Sequence, residues 1–276
     1  MIGIVTALHC EARPLIRHFQ LKKEERFSPL EIFGAENIRL AISGIGKLRS
    51  AIAVTRLLTL PDKPRFRLLI NLGICGANTK YAIGEPVLAN QVIDAGSGRR
   101  YFPDMLARQN LTEATLHTFD KPVFEPASSA GQIELADMEA AGFFEAARRE
   151  LEGHRIAVLK IVSDHFEKKP LNKTNIEKII EANLPQIEGL IRRQYAALPP
   201  NGTIILPEEE GKLRRIAEQM RLTTTQFRQL ADLFRSYKIR TGRSVEVLDP
   251  ENQPPPTSKL DRRRRFETLK KRLVQS

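Results

Sequence analysis

The 276-residue chain has no tryptophan, only two cysteines and no long uninterrupted apolar run. A membrane-spanning helix needs about 20 predominantly apolar residues, so contact with a membrane is not predicted. Cys10 and Cys75 are too few for a disulfide framework, which favours a reducing, cytoplasmic location. The five histidines and two cysteines lack zinc-like spacing, and neither a metal nor a cofactor is predicted. The opening "MIGIVTALHCEARPL" lacks the basic start of a signal peptide and is interpreted as a first strand.

Positive charge is concentrated at one end of the chain. The net charge is +11, and residues 201–276 hold 17 Lys/Arg against 10 Asp/Glu, a local net charge of +7. Proline, glycine and acidic residues in "LPPNGTIILPEEEG" indicate a linker. We therefore predict two domains, residues 1–198 and a basic, mainly helical extension at 199–276 that contains the Pro-rich linker "DPENQPPPTSK". The extension shows a helical hairpin pattern, with Thr224 or Thr225 as N-cap, and a final basic segment with weaker helical spacing.

Strand-like and helix-like segments alternate through residues 1–195. Short β-branched runs such as "IGIVTA", "NIRLAIS", "RFRLLINLG" and "RIAVLKIVS" are typical of buried strands. Helical spacing appears between them, and a final helical segment is predicted to break near Pro185. This alternation predicts an α/β layer fold with a mostly parallel or mixed sheet. Glycine-containing turns follow several strands, and these are either ordinary turns or places where the backbone approaches a ligand closely.

Five motifs occur in a recognisable order: "SGIGK", "INLGICGA", "IGEPVLANQVID", "DMEAAGFFEAA" and "LKIVSD". In this order the chain resembles the nucleoside phosphorylase/nucleosidase superfamily over residues 1–195, and most of all its methylthioadenosine/S-adenosylhomocysteine nucleosidase branch. The resemblance implies a three-layer nucleoside phosphorylase-like fold with a mixed central sheet, to which a small helical C-terminal appendix is added. It also implies a homodimer with a small-molecule nucleoside substrate. The segment between "GEPV" and "DMEAAG" is shorter than is typical of that family, which leaves the 5′ substituent of the substrate open.

The resemblance implies hydrolysis of the N-glycosidic bond of a 5′-modified adenosine-type nucleoside through an oxocarbenium-like transition state. Asp164 matches the acid that protonates the purine, and Glu11 matches the carboxylate that activates water. Glu139 matches the carboxylate that holds ribose hydroxyls, with Met138 packing on the sugar. Each acid also has a structural interpretation. Glu11 could be an exposed acid in a first helical turn, Asp164 a helix cap, and Glu139 a solvated helix residue.

The remaining predicted site residues come from the glycine turns and from the neighbourhood of the acids. Phe119 or Phe124 could stack on the base, or belong to the core. Lys160 stands where the resembled nucleosidases have an arginine that holds the water-activating glutamate, and Ser163 adjoins Asp164. The residues of the glycine turns that are predicted to bind substrate are Ser43, Gly44, Ile74, Cys75 and Gly76.

Water is favoured over phosphate as the nucleophile. Asn71 stands where the phosphorylases have a phosphate-binding arginine, and Arg13 is off-register in the first loop. A second hypothesis is that the domain has lost catalysis and senses nucleosides or acts as a scaffold through its basic arm. That arm could contact a protein or a nucleic acid, or be a solvated extension.

Overall fold

The computed structural model describes residues 1–62, 65–104, 110–124, 133–167, 172–198, 204–244 and 255–275. The chain divides into two compact units, Met1–Leu198 (unit 1) and Pro199–Ser276 (unit 2). No helix among the described residues is both long and apolar enough to cross a bilayer.

Unit 1 alternates strands and helices, as the sequence pattern predicts. Its strands are β1 Ile2–Thr6, β2 Lys22–Lys23, β3 Glu31–Gly34, β4 Ile38–Ile42, β5 Leu68–Ala77, β6 Pro86–Asp94, β7 Arg100–Tyr101, β8 Thr112–Thr118, β9 Leu135–Asp137 and β10 Ile156–Asp164. Its helices are α1 His9–His18, α2 Lys47–Leu58, α3 Ala140–Ala147, α4 Lys173–Ala182 and α5 Leu184–Ala197. The break near Pro185 is confirmed, since α4 ends before Asn183 and Pro185 occupies the first turn of α5.

The ten strands found in the described part of unit 1 form one mixed sheet. Its central strands are parallel, with β4, β1, β5 and β10 side by side. β6 pairs antiparallel with β10, and β9 pairs antiparallel with β5. Because β8 lies between β6 and β9, the pairings of β5, β10, β6, β8 and β9 close into a ring. The predicted mixed sheet is confirmed, and the ring brings the ends of β5, β9 and β10 together.

Two hydrophobic layers cover the two faces of this sheet. Successive strand residues point to opposite faces, so Ile4 joins one layer and Val5 the other. Helices α2 and α3 pack on the Val5 side, whereas α1, α4 and α5 pack on the Ile4 side. Burial on both faces explains why these strands are continuous apolar runs, and it confirms the predicted three-layer arrangement.

The described part of unit 2 contains three helices, α6 Pro207–Gln219, α7 Thr224–Thr241 and α8 Lys259–Gln275. The N-cap of α7 is Thr223, one residue before the predicted position, because its hydroxyl accepts a hydrogen bond from Gln226 N. Phe266 and Leu269 of α8 are buried in one core with Leu230 and Phe234 of α7. The last basic segment is therefore a packed third helix, although its sequence shows only weak amphipathic spacing.

Candidate active site

A cavity in the described part of unit 1 has a volume of about 560 Å³. It lies over the carboxyl ends of β1, β5 and β10, where ligands bind in open α/β sheets. Nine of the residues predicted for the site line it: Glu11, Ile74, Cys75, Gly76, Phe124, Met138, Glu139, Ser163 and Asp164. Three acids that are distant in sequence therefore share one cavity.

Glu11 is held rigidly at the start of α1. Its Oε2 accepts hydrogen bonds from the backbone nitrogens of Ala7 and Leu8, both at 2.8 Å, and its Oε1 accepts one from Ile74 N at 2.9 Å. The side chain is 2% exposed, which rules out the solvated interpretation, although it does cap the first turn. Burial raises the pKa of Glu11, and these amides together with Lys160 oppose the rise.

Two glycines of β5 let side chains of the cavity pack closely against the strand. A Cβ on Gly73 would lie 2.6 Å from Glu11 Oε1, and one on Gly76 would lie 2.9 Å from Phe166 Cδ1 and 3.2 Å from Asp164 Oδ1. The "NLGICGA" glycines thus allow Glu11, Phe166 and Asp164, rather than a ligand alone, to approach β5.

Glu139 precedes the first residue of α3 and is 7% exposed. Its Oε1 accepts a hydrogen bond from Gly46 N at 2.9 Å. Gly46 has φ of 108°, a backbone conformation that residues with a side chain rarely adopt. The glycine of the "SGIGK" turn therefore allows its amide to face Glu139. Burial is the main reason that the pKa of Glu139 rises to about 7, with Asp137 and Glu11 adding to the rise and Lys160 opposing it.

Beneath these acids lies a buried ion pair between Lys160 and Asp137, with Nζ to Oδ2 at 2.8 Å. Asp137 Oδ2 also accepts from the backbone nitrogens of Glu139 and Ala140, and its Oδ1 accepts from Thr118 Oγ1 at 2.7 Å. Burial disfavours the Lys160 charge, but Asp137, Glu139 and Glu11 together hold the pKa of Lys160 above its usual range. Lys160 is therefore bonded to Asp137 and acts on Glu11 only through its electrostatic field.

Asp164 ends β10 beside a β-bulge. The register of β10 on β5 shifts between Val162 and Asp164, so Ser163 and Asp164 both face the cavity. Asp164 Oδ2 accepts from Ser163 Oγ at 2.6 Å, and Oδ1 accepts from Phe166 N at 2.9 Å. The carboxylate forms a local turn with Phe166, and Asp164 does not cap a helix.

Some predicted residues lie elsewhere. Ile45 lines the cavity from the "SGIGK" turn, whereas Ser43 and Gly44 are not among the described lining residues. Ser43 Oγ instead donates to Thr6 O and Gly44 O. Phe119 is also outside the lining, and its backbone nitrogen donates to Asp137 O.

Sequence reasoning missed four charged or aromatic lining residues: Lys121, Asp137, Phe166 and Glu167. Asp137 was detectable, because it ends an apolar run two residues before Glu139 in the same motif. Phe166 was not detectable, since it reaches the cavity through a left-handed backbone conformation with φ of 61°.

The cavity is strongly acidic, with Glu11, Asp137, Glu139, Asp164 and Glu167 against one lining lysine. Asn71 is buried and its Nδ2 donates to Val5 O, and Arg13 pairs with Glu177 at 3.0 Å. Neither is available to bind a phosphate. The described lining contains no arginine.

Comparison with known proteins agrees with this architecture. The model of the phosphorylase superfamily matches residues 1–130. No curated protein matches the chain by sequence.

Among solved structures, the Helicobacter pylori 5′-methylthioadenosine/S-adenosylhomocysteine nucleosidase with butyl-thio-DADMe-Immucillin-A is similar at 17% identity and a TM-score of 0.58. That match covers 69% of this chain and 97% of the other. A futalosine hydrolase mutant from Helicobacter pylori is similar at 16% identity and a TM-score of 0.58, and the match covers 69% of this chain and 98% of the other. The Neisseria meningitidis 5′-methylthioadenosine/S-adenosylhomocysteine nucleosidase in complex with methylthio-immucillin-A is similar at 18% identity and a TM-score of 0.57, and the match covers 70% of this chain and 98% of the other. These likenesses confirm the predicted resemblance and the nucleoside phosphorylase-like fold.

Proposed function

We propose that unit 1 is a purine nucleosidase that hydrolyses the N-glycosidic bond of a 5′-modified adenosine-type nucleoside. The observation that carries this proposal is the convergence of Glu11, Glu139 and Asp164 on one cavity of about 560 Å³. An acid for the leaving base, a base for water and a partner for the sugar are the groups that this reaction needs.

In the proposed reaction Asp164 transfers its proton to N7 of the purine, so that the C1′–N9 bond breaks with its electron pair on the base. Ser163 holds the Asp164 carboxyl by its 2.6 Å hydrogen bond. A water attacks C1′ and gives a proton to Glu11, whose pKa is raised by burial and which three backbone amides hold in place. Glu139 accepts hydrogen bonds from the ribose hydroxyls, with Met138 beside the sugar.

The charge of the cavity supports water over phosphate as the nucleophile. Positive charge develops on the ribose as the glycosidic bond breaks, and the surrounding carboxylates stabilise it. The same carboxylates repel a phosphate dianion, which requires cationic partners such as arginine. The buried Asn71 and the Glu177-paired Arg13 supply none.

The size of the cavity supports a substituent at the 5′ position. A volume of about 560 Å³ lies within the range of about 300–1,000 Å³ that is typical of sites for drug-sized ligands. Leu8, Ile45 and Phe124 give the cavity an apolar part in which no ribose hydroxyl would find a partner. We assign this part to an apolar 5′ group.

A homodimer is proposed from an apolar stripe on and before α2. Leu48 and Ile52 are 75% and 53% exposed, and their spacing of four residues places them on one side of α2. Ile45, which is 46% exposed, precedes the helix. A second copy that covered this stripe would also border the cavity, because Ile45 lines it. Sedimentation analysis of Leu48→Glu against wild type tests this, and an unchanged mass would contradict it.

The function is tested by incubating the full chain with methylthioadenosine, adenosine and other 5′-modified adenosines and measuring free purine by chromatography. We expect release in phosphate-free buffer with free sugar as the second product, and loss of release in Asp164→Asn. The exposed Glu150 provides a control in Glu150→Gln, which should retain the rate. Formation of a sugar 1-phosphate only when phosphate is added would show phosphorolysis. Tight binding without release, unchanged in Asp164→Asn, would support the nucleoside-sensing hypothesis.

A further inference from the structure

Unit 2 has a concave surface of its own, a groove between α7 and α8 with a volume of about 320 Å³. We call this surface the basic groove. Two glutamines of α7 line it together with four cations, one carboxylate and one phenylalanine of α8: Gln226, Gln229, Lys259, Arg262, Arg263, Lys270, Glu267 and Phe266.

Most of the positive charge in the basic groove is uncompensated. Lys259 and Arg263 form no ion pair with any residue of the described ranges, and Arg262 donates to the backbone oxygen of Arg221. Lys270 is the exception, since its Nζ lies 2.7 Å from Glu267 Oε1. Among the described residues, three cations of the groove, Lys259, Arg262 and Arg263, therefore have no carboxylate partner, and the one lining carboxylate, Glu267, pairs with Lys270. Like charges placed close together repel one another unless an anion binds there.

The cations follow the length of the groove. Lys259, Arg262 and Arg263 lie within four residues of one another on α8, or about 6 Å at about 1.5 Å per residue, and the Glu267-paired Lys270 lies further along the same helix. One strand of a duplex carries a phosphate about every 3.4 Å along its axis, so these three cations match about three successive phosphates. A row of anions can engage them together.

The basic groove also lacks the exposed aromatic anchor that is typical of the centre of a protein–protein interface. Its one aromatic residue, Phe266, is only 2% exposed and belongs to the core of unit 2. Protein interfaces depend on exposed aromatic or arginine anchors in apolar pockets, whereas nucleic-acid interfaces are polar and positively charged. Gln229 offers an amide that can both donate to and accept from base edges, whereas Gln226 Oε1 already accepts from Thr223 N at 3.0 Å and only its amide NH₂ can donate. We propose that the basic groove binds the phosphate backbone of a nucleic acid.

Fluorescence anisotropy of the full chain tests this proposal, with a labelled duplex DNA and a labelled single-stranded RNA of about 20 nucleotides. We expect an affinity for nucleic acid that falls steeply as the salt concentration rises. Three phosphate contacts on a duplex predict a loss of affinity of about 40-fold between 50 and 200 mM salt. The double variant Lys259→Gln/Arg263→Gln keeps one of these contacts and should lose only about 4-fold over that range.

The matched control is Arg264→Gln/Lys271→Gln, because both residues are exposed on α8 outside the groove and the change in net charge is identical. Glutamine has nearly the helix propensity of lysine and arginine, so both variants should fold. The control should keep the salt dependence of wild type. If both double variants lose affinity and salt dependence equally, net charge alone explains the effect and the proposal is overturned. The proposal is also overturned if the wild-type chain binds polyglutamate but binds neither nucleic acid. Purine release is measured separately, so its absence leaves this test intact.

Discussion

Glu139 makes the stability of unit 1 depend on pH in a direction that can be predicted. Its pKa rises from 4.5 to about 7 in the folded protein, mainly because burial disfavours the charged carboxylate. Between these two values the folded state holds a proton that the unfolded chain has lost. The stability contributed by this proton is fully present below about pH 4.5 and is lost as the pH rises through 7.

The size of this pH-dependent change in the free energy of unfolding follows from the pKa of Glu139, which rises from 4.5 to about 7. That rise corresponds to about 3 kcal/mol at about 1.4 kcal/mol per pKa unit. Glu139→Gln keeps an oxygen that can accept the hydrogen bond from Gly46 N, but it cannot ionise. We therefore expect the variant to gain about 3 kcal/mol of stability relative to wild type between about pH 5 and pH 8. The raised pKa of Glu11 is present in both proteins and largely cancels in the difference.

The assay is urea unfolding at several pH values, with pulsed hydrogen–deuterium exchange of the β5 peptide as the signal from unit 1. Exchange in β5 is suitable because its residues Leu68 to Leu72 are buried in the core. Glu150→Gln, at an exposed position, is the control and should follow wild type at every pH. A constant difference between Glu139→Gln and wild type from pH 5 to pH 8 would show that Glu139 is ionised throughout and refute the reasoning.

Three further predictions concern the supports of the site. Lys160→Met leaves Asp137 buried without its cation and should cost about 3–5 kcal/mol in urea unfolding, and a change below 1 kcal/mol would contradict the ion pair. Gly142→Ala should destabilise unit 1 by about 1–3 kcal/mol, because its Cβ would overlap the backbone oxygen of Lys47, whereas Gly211→Ala, with open space around it, should be neutral or stabilising. Lys47→Met removes the ion pairs to Asp94 and Asp120, and Asp120 directly precedes residues 121–124, which line the cavity. We expect KM for the nucleoside to rise about two- to five-fold with kcat retained, and Lys47→Arg to restore KM.

The sequence pointed to acids that a motif joins to a strand or helix end. Glu11, Glu139 and Asp164 were selected in this way, and the structure brings all three to one cavity. The partner of Lys160 was not predictable. Lys160 was expected to support Glu11, and the structure pairs it with Asp137, which β9 brings to the end of β5. That pairing joins segments about 60 residues apart, and no local pattern encodes it.

The sequence by itself determined the order of elements, since apolar runs and helical spacing follow from which faces each segment buries. It also determined where the charge of the chain is concentrated. Only the tertiary structure decided the environment of each acid, because Glu11 is buried against β5, Glu139 is buried against the turn at Gly46, and Asp164 is left partly exposed. A pKa depends on the solvent and charges around a group, and these come from residues that meet only when the chain is folded.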